Sequence, residues 1–531
     1  MFSLDRDFTQ PGRSAAIAEN GMAATSHPLA TLAALDILHA GGNAIDAAVA
    51  AVAVQGVVDP HMTGVGGDLF AIVAPAGGKV TSLNASGPAP RATRLEALRA
   101  EGLTAVPETS PYAVTIPGAV DGWCKLIEKF GRLGLEQVLA PAIRFAEEGY
   151  RVTPRVRFDW HRARRKLAGN AAAARHFLRN GEAPAIGDRM SNPALGRTLR
   201  GIAQRGRAAL YEGEVAADIV ATLRALGGVH AEDDLASYQA QWTVPISADY
   251  RGYTIKECPP NGQGLAALII ARILSGFDLA EEALSPADRI HILAEASKAA
   301  YAQRDALVAD PDHAPFDVAA VLADKAIAAL RDRIRMDRAT DFGSWDMPAH
   351  RDTVYLTVVD KDRNAISLIN SLFSAFGSGI FAEKSGIMLQ NRGCGFSLVE
   401  GHPNAIAGGK RPLHTIIPGL LEKDGRPVMP FGVMGGQYQA TGHAQLISHI
   451  VDRGMNPQAA NAAPRSFAFG GELSLETTID PAIADDLTRR GHTIAWASEP
   501  IGGSQAIWID HDRGLLIGAS DHRKDGLALG Y

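Results

Sequence analysis

The stretch that most constrains this chain is Asp352-Thr353-Val354-Tyr355-Leu356-Thr357-Val358-Val359-Asp360. Val354, Leu356 and Val358 fall to one side of it, and Thr353, Tyr355 and Thr357 to the other. That period of two predicts a β-strand with one face buried. Lys361-Asp362-Arg363-Asn364 predicts a turn and Ala365 to Phe373 a returning strand, so the unit is a hairpin. Upstream, Met336 to Arg351 is polar and has no period. By itself the join reads as a surface loop entering a sheet. It also suits a chain cut between Asp352 and Thr353, because a threonine with a free α-amino group carries a hydroxyl nucleophile and its own base on one residue.

Composition removes several classes of function. A chain of 531 residues exceeds one simple core, so two intertwined lobes or two domains are expected. With 46% hydrophobic and 21% charged residues the balance is that of a globular protein. A net charge of −6 offers no footprint for nucleic acid or an anionic membrane. No apolar run reaches the roughly eighteen residues that span a bilayer. Met1 to Asn20 carries Asp5, Arg6, Asp7 and Arg13 and lacks the apolar centre of a secretory signal. Cys124, Cys258 and Cys394 are odd in number and far apart, which argues against a disulfide framework or a zinc site. The expectation is a cytoplasmic protein without metal or cofactor, its thiols in the core or in loops.

Leu29 to His39 and the Ala/Val-rich Asn43 to Val57 predict two helices, the second apolar nearly all round and therefore buried. Asp59 to Asp68 is a glycine-rich loop opening a strand, Leu69 to Ala74. Its order of helix, loop, strand is not that of a dinucleotide fingerprint, so its glycines are read as serving tight packing. Further helices are expected at Val120 to Phe130, Leu135 to Glu148, Val215 to Leu226, Gly264 to Leu274, Ile290 to Ala306 and Ala440 to Arg453. Val156 to Arg207 reads as basic and irregular, with Arg/His-rich helical pieces such as His161 to Lys166, its charges a solvated face. Strands gather at both ends of the sequence and helices in the middle, which favours a layered α+β body.

Gly21-Met22-Ala23-Ala24-Thr25-Ser26-His27-Pro28-Leu29, Gly41-Gly42-Asn43-Ala44-Ile45-Asp46-Ala47-Ala48, Thr115-Ile116-Pro117-Gly118, His291 to Arg304, Gly435-Gly436, Gly502-Gly503-Ser504-Gln505 and Asp525-Gly526 occur in one order along nearly the whole chain. In that order they resemble the gamma-glutamyltransferase family. The resemblance implies an N-terminal-nucleophile hydrolase fold, an α+β four-layer αββα sandwich. It further implies a proenzyme that cuts itself into a large fragment, residues 1–352, and a small one, 353–531, which stay intertwined. Thr353 then resembles the family's nucleophile. Many members carry Thr-Thr there, whereas this chain has Thr353-Val354. Ser371 falls where the family places a second hydroxyl beside the nucleophile, although an ordinary strand serine fits the pattern equally well. Gly435 and Gly436 match the pair whose N–H groups form an oxyanion hole, a role in which glycine clears the approach of the developing oxyanion.

Departures from the family bear on the substrate. Ser86 stands where the family has a carboxylate-binding arginine, and Gly395 where it has an ammonium-binding aspartate. His414 and Thr415 replace the usual paired serines after Arg411-Pro412-Leu413, and Phe373 replaces an asparagine. Losing both charged anchors removes contacts of about 1.5–3 kcal/mol each, which points away from a γ-glutamyl substrate. Arg411 to Thr415, with Ser371-Leu372-Phe373-Ser374-Ala375-Phe376-Gly377-Ser378-Gly379, is similar to the oxamate amidohydrolase-like branch. The resemblance thus implies an amide hydrolase that takes a small carboxamide such as oxamate to oxalate and ammonia through a threonyl ester. Arg411, His414, Thr415 and Phe373 would line the substrate site. An ion pair remains open for Arg411, and a satisfied loop histidine for His414. Alternatives of the same chemistry are a glutathione hydrolase or transferase and a cephalosporin or glutaryl acylase; from a different class, an uncleaved binding protein. The expected partners are the small amide, the two fragments of one precursor and optionally a second processed protomer, with neither nucleic acid nor membrane.

Overall fold

Val354 to Val359 and Ala365 to Ser371 form the predicted hairpin, paired from Val354↔Asn370 to Val359↔Ala365. In the computed structural model, which describes residues 2–9, 12–280, 282, 284–343 and 353–531, the hairpin lies at the centre of a seven-stranded sheet. Met22–Thr25 and then Leu527–Gly530 flank it on one side, and Asp68–Ala74, Thr81–Ala85 and Gln241–Thr243 on the other. Every pairing is antiparallel. A second antiparallel sheet of seven strands runs Ala16–Ala18, Leu515–Ser520, Gly503–Asp510, Arg426–Met434, Gly419–Lys423, Tyr253–Glu257, Ile246–Tyr250.

The sequence predicts one buried face for Val354 to Val359, but all six residues are buried. Val354, Leu356 and Val358 pack with the helices Pro28–His39, Ala44–Val58 and Ala119–Phe130. Tyr355 and Val359 pack with Leu420, Met434 and Ile507 of the second sheet. The hydroxyls on that inner face find partners within the sandwich: Tyr355 Oη and Ser367 Oγ are 2.9 Å apart, and Ser367 Oγ donates to Phe431 O at 3.0 Å. A polar-looking face is thus covered because its hydroxyls are bonded there. Gly264–Leu274, Pro286–Leu307 and Tyr438–Val451 cover the outer face of the second sheet. The four layers are αββα.

Ala44–Val58 is buried along all its residues, as its composition predicts. Asn43 and Asp46 close a capping box at its start, and Asp360 at the end of the central strand accepts from Ala44 N–H at 3.0 Å. Val156 to Arg207 contains the expected helical pieces but is more ordered and more buried than an irregular, solvated stretch. It folds into short helices, among them Pro154–Arg162 and Pro193–Arg205, with Trp160, Leu167 and Leu199 buried. Arg155 is held there by Asp159 at 2.6 Å, so its head is neutralised rather than only hydrated.

The two sheets come close together at Gly432, where a Cβ would lie 2.3 Å from the Tyr355 ring. Gly432→Ala is expected to lower the unfolding free energy by about 1–3 kcal/mol, read from urea unfolding of the full chain. An unchanged midpoint would show that the sheets can part there at no cost.

Candidate active site

Three neighbouring strands of the first sheet end in one row. Val354 pairs with Asn370, and Ser371 pairs with Asp68, so Thr353, Ser371 and Asp68 follow one another across the sheet. All three are fully buried. Thr353 Oγ1 lies 3.2 Å from Ser371 Oγ. Ser371 Oγ also accepts from Phe373 N–H at 2.9 Å and from Arg392 Nη2 at 3.3 Å. Two donors on one oxygen polarise its O–H towards further acceptors, Thr353 Oγ1 among them.

Arg392 is a guanidinium with no exposure, in the short helix Arg392–Gly395. Its Nη1 donates to Thr415 Oγ1 at 2.9 Å, its Cζ lies 4.3 Å from the Phe373 ring centre, and its Nε has no partner among the described residues. Phe373 holds this place with a φ of +80°, a strained backbone for a bulky residue. From Thr415 the network continues through Gln263, whose Nε2 donates to Thr415 O at 2.7 Å and to Gly436 O at 3.1 Å. The glycine pair therefore belongs to the same hydrogen-bonded assembly as Thr353. Gly435 has a φ of +122° and Gly436 one of +58°, and a Cβ on Gly435 would lie 2.9 Å from Gly502 Cα. Only glycine fits such a close approach.

Asp68 closes the row. Its Oδ1 accepts from Gln390 Nε2 at 2.9 Å and from the N–H groups of Gly118 at 3.2 Å and Gly87 at 3.3 Å. Its Oδ2 is 3.0 Å from His414 Nε2. Burial pushes the carboxyl up to about 7 despite the Arg392 charge and these donors, and burial pulls Arg392 down to about 9. The glycine-rich loop before Asp68 packs as the sequence predicts: a Cβ on Gly67 would lie 2.3 Å from Ser371 O, and one on Gly66 2.1 Å from Met388 O.

The other expected residues separate into two groups. Phe373 and Thr415 stand beside Arg392, next to the row. His414 is engaged by Asp68, and its Nδ1 accepts from Ile416 N–H at 3.4 Å. Arg411 faces Asp312 at 3.5 Å and Asp310 at 3.9 Å and donates to Ser86 O at 3.3 Å, the ion pair left open by the sequence. Ser86 is bonded to Asn84 Oδ1 at 2.7 Å and accepts from Asn261 Nδ2 at 3.2 Å. Asp352 lies outside the described residues. A cavity of about 490 Å³ adjoins Phe373, walled by Phe396, Leu398 and Leu413 with Glu108 and Asp305, and Gly395 lines it too.

The gamma-glutamyltranspeptidase model matches residues 30–531. The chain belongs to the gamma-glutamyltranspeptidase family. It is 36% identical to the oxamate amidohydrolase proenzyme of Klebsiella pneumoniae, over 98% of this chain and 100% of that one. It is 35% identical to a glutathione hydrolase-like proenzyme of Bacillus subtilis, over 96% and 98%. The crystal structure of cephalosporin acylase from Bacillus halodurans superposes with a TM-score of 0.93 at 40% identity, covering 100% of this chain and 99% of that one. The fold is thus that of the N-terminal-nucleophile hydrolases, and the protein is a hydrolase of this family acting on amide C–N bonds. No helix among the described residues is long and apolar enough to cross a membrane.

Sequence reading missed Arg392 and Asp68. Arg392 stands three residues before Gly395, in a run read only for the charge missing at Gly395. Asp68 ends a loop read only for its glycines.

Asp68 gives the site a testable pH dependence. Its carboxyl titrates near 7 when folded, against 3.8 ordinarily. Between those values the folded chain holds a proton that the unfolded chain has lost, so this contribution to stability falls as pH rises towards 7 and is flat beyond. Asp68→Asn should remove that slope. Relative to the parent it should gain on the order of 2 kcal/mol between pH 5 and pH 7.5 in urea unfolding; parallel curves would place the Asp68 titration elsewhere.

Proposed function

We propose that Thr353 is the nucleophile of an autoprocessed amidohydrolase whose substrate is a small carboxamide with a carboxylate next to the scissile carbonyl, oxamate being the simplest. In processing, the Thr353 hydroxyl attacks the Asp352 carbonyl carbon, the peptide bond shifts to an ester, and water releases residues 1–352 from 353–531. The freed α-amine then serves as base. In catalysis Thr353 Oγ1 adds to the substrate carbonyl while the amine takes its proton. The N–H groups of Gly435 and Gly436 stabilise the oxyanion, ammonia leaves with the proton returned by the amine, and water hydrolyses the threonyl ester. Ser371 orients the hydroxyl throughout.

The observation that carries the choice of substrate is Arg392. It is a buried cation one hydroxyl removed from Thr353, through Ser371, with an Nε that no group among the described residues satisfies. A cation so near the nucleophile suits a carboxylate attached directly to the carbonyl under attack. A γ-glutamyl group carries its carboxylate three carbons further away, where this chain has Ser86 and Gly395 instead of charges. The similarity to the oxamate amidohydrolase proenzyme supports the same reading. One observation favours a second: the cavity of about 490 Å³ beside Phe373 exceeds what oxamate fills and would seat a longer acyl chain, as in an acylase.

Thr353→Ala should leave one band of about 56 kDa on a denaturing gel and no amidase activity; normal cleavage would remove Thr353 from the role. Ammonia release from oxamate should exceed 4-nitroaniline release from both γ-glutamyl and glutaryl anilides, and the reverse order would favour the transferase or the acylase. Arg392→Met should still be cut and should lose roughly ten- to hundredfold in kcat/KM on oxamate, the worth of one charged hydrogen bond. An equal loss on a neutral amide would make Arg392 a structural cation.

A further inference from the structure

Away from the row, the helix Pro286–Leu307 carries His291 and Glu295 one turn apart, and His492, just after the helix Pro481–Arg489, meets them. All three are buried, and one ligand atom from each lies within 4.8 Å of the others. His291 Nε2 is 2.7 Å from Arg335 O, which can only accept. That bond fixes the proton on Nε2 and leaves the Nδ1 lone pair facing His492 Nε2, 2.7 Å away. Metal-bound imidazoles are held in this manner, with the distal N–H on a carbonyl. Glu295 Oε2 accepts from Thr340 N–H at 2.9 Å, whereas among the described residues Oε1 meets only the Lys298 ammonium.

We propose that His291, Glu295 and His492 form a binding site for a divalent ion of the zinc class. Two imidazoles and a carboxylate are the donor set such ions take, with a fourth position open to water. Two nitrogens on one tetrahedral zinc stand about 3.3 Å apart, so the rings need open by only a fraction of an ångström. His492 ligates through Nε2 once its proton moves to Nδ1. Lys298, which also donates to Thr340 O at 2.7 Å, leaves Glu295 as the ion enters. The Lys298 ammonium and the Arg490 guanidinium both lie near the cluster. The same charges oppose a second cation and set the affinity below that of a site without them.

The place of the site gives it a task. His291 and Glu295 hold Arg335 and Thr340, in the stretch that leads towards Thr353, and His492 lies beyond Thr353 in the sequence. An ion there ties the end of the proposed large fragment to the small one. Only this stapling role rests on cleavage before Thr353; binding of the ion does not.

The full chain, stripped with chelator and titrated with Zn²⁺ against a chromophoric competitor, should bind about one equivalent and melt at a higher temperature. Uncut Thr353→Ala should bind the same equivalent, which separates this site from the reading of the nucleophile. His492→Ala should lose the equivalent while keeping the metal-free melting temperature to within a few degrees. Lys298→Met should bind about tenfold more tightly, because the competing ammonium is gone. A wild-type chain binding less than about a fifth of an equivalent overturns the proposal. So does a His492→Ala chain that retains the zinc, or a Lys298→Met chain with unaltered affinity.

Discussion

The register of three antiparallel strands governs this molecule. Val354↔Asn370 and Ser371↔Asp68 bring a threonine, a serine and an aspartate to the end of the sheet side by side, on the face that meets the second sheet. A slip of one residue would turn Thr353 towards the helices and Val354 into the site. The slip is prevented from both sides. Val354, Leu356 and Val358 fill the layer under the helices, and Tyr355 presses on Gly432 in the opposite sheet. The strand that presents the candidate nucleophile is therefore held by the core rather than by the site.

The charges follow from the same burial. Asp68 and Arg392 are both removed from water, and each is shifted towards its neutral form. Neither is paired directly with the other. Asp68 is bonded to Gln390, two backbone N–H groups and His414, and Arg392 is held by Thr415, Ser371 and the face of Phe373. Such an arrangement keeps a cation beside Thr353 without neutralising it by contact, at a cost in stability that a direct ion pair would reduce.

Much of this was legible because it is periodic. The hairpin, the apolar helix Ala44–Val58 and the long helix Pro286–Leu307 follow from spacing alone. The motif order along the chain carried the family, and the comparisons bear it out. What spacing could not give was which side of a strand stays wet. The hydroxyls of Tyr355 and Thr357 look like a solvent face until a second sheet is laid over them. Arg392 and Asp68 were invisible for a related reason. A lone arginine or aspartate in a glycine-rich turn is ordinarily a surface residue, and only the fold shows that these are buried against Ser371. The cluster of His291, Glu295 and His492 was hidden by sequence separation, since two of its members share a helix and the third lies about two hundred residues on.

The position of positive charge separates the substrates this fold can serve. A γ-glutamyl amide needs its carboxylate held several bonds from the carbonyl, so the cation must stand across a pocket from the nucleophile. At Ser86 and Gly395 this chain offers a bonded hydroxyl and a bare backbone, and Arg411 is taken up by Asp310 and Asp312. Among the described residues the cation next to Thr353 is Arg392, and it reaches Thr353 through Ser371. In the proposed function, moving the charge inwards by those few bonds shortens the acid that can bind with its amide at Thr353. In the proposed reading the two losses at Ser86 and Gly395 and the buried Arg392 are one change, a site rebuilt around a carboxylate adjacent to the bond it breaks.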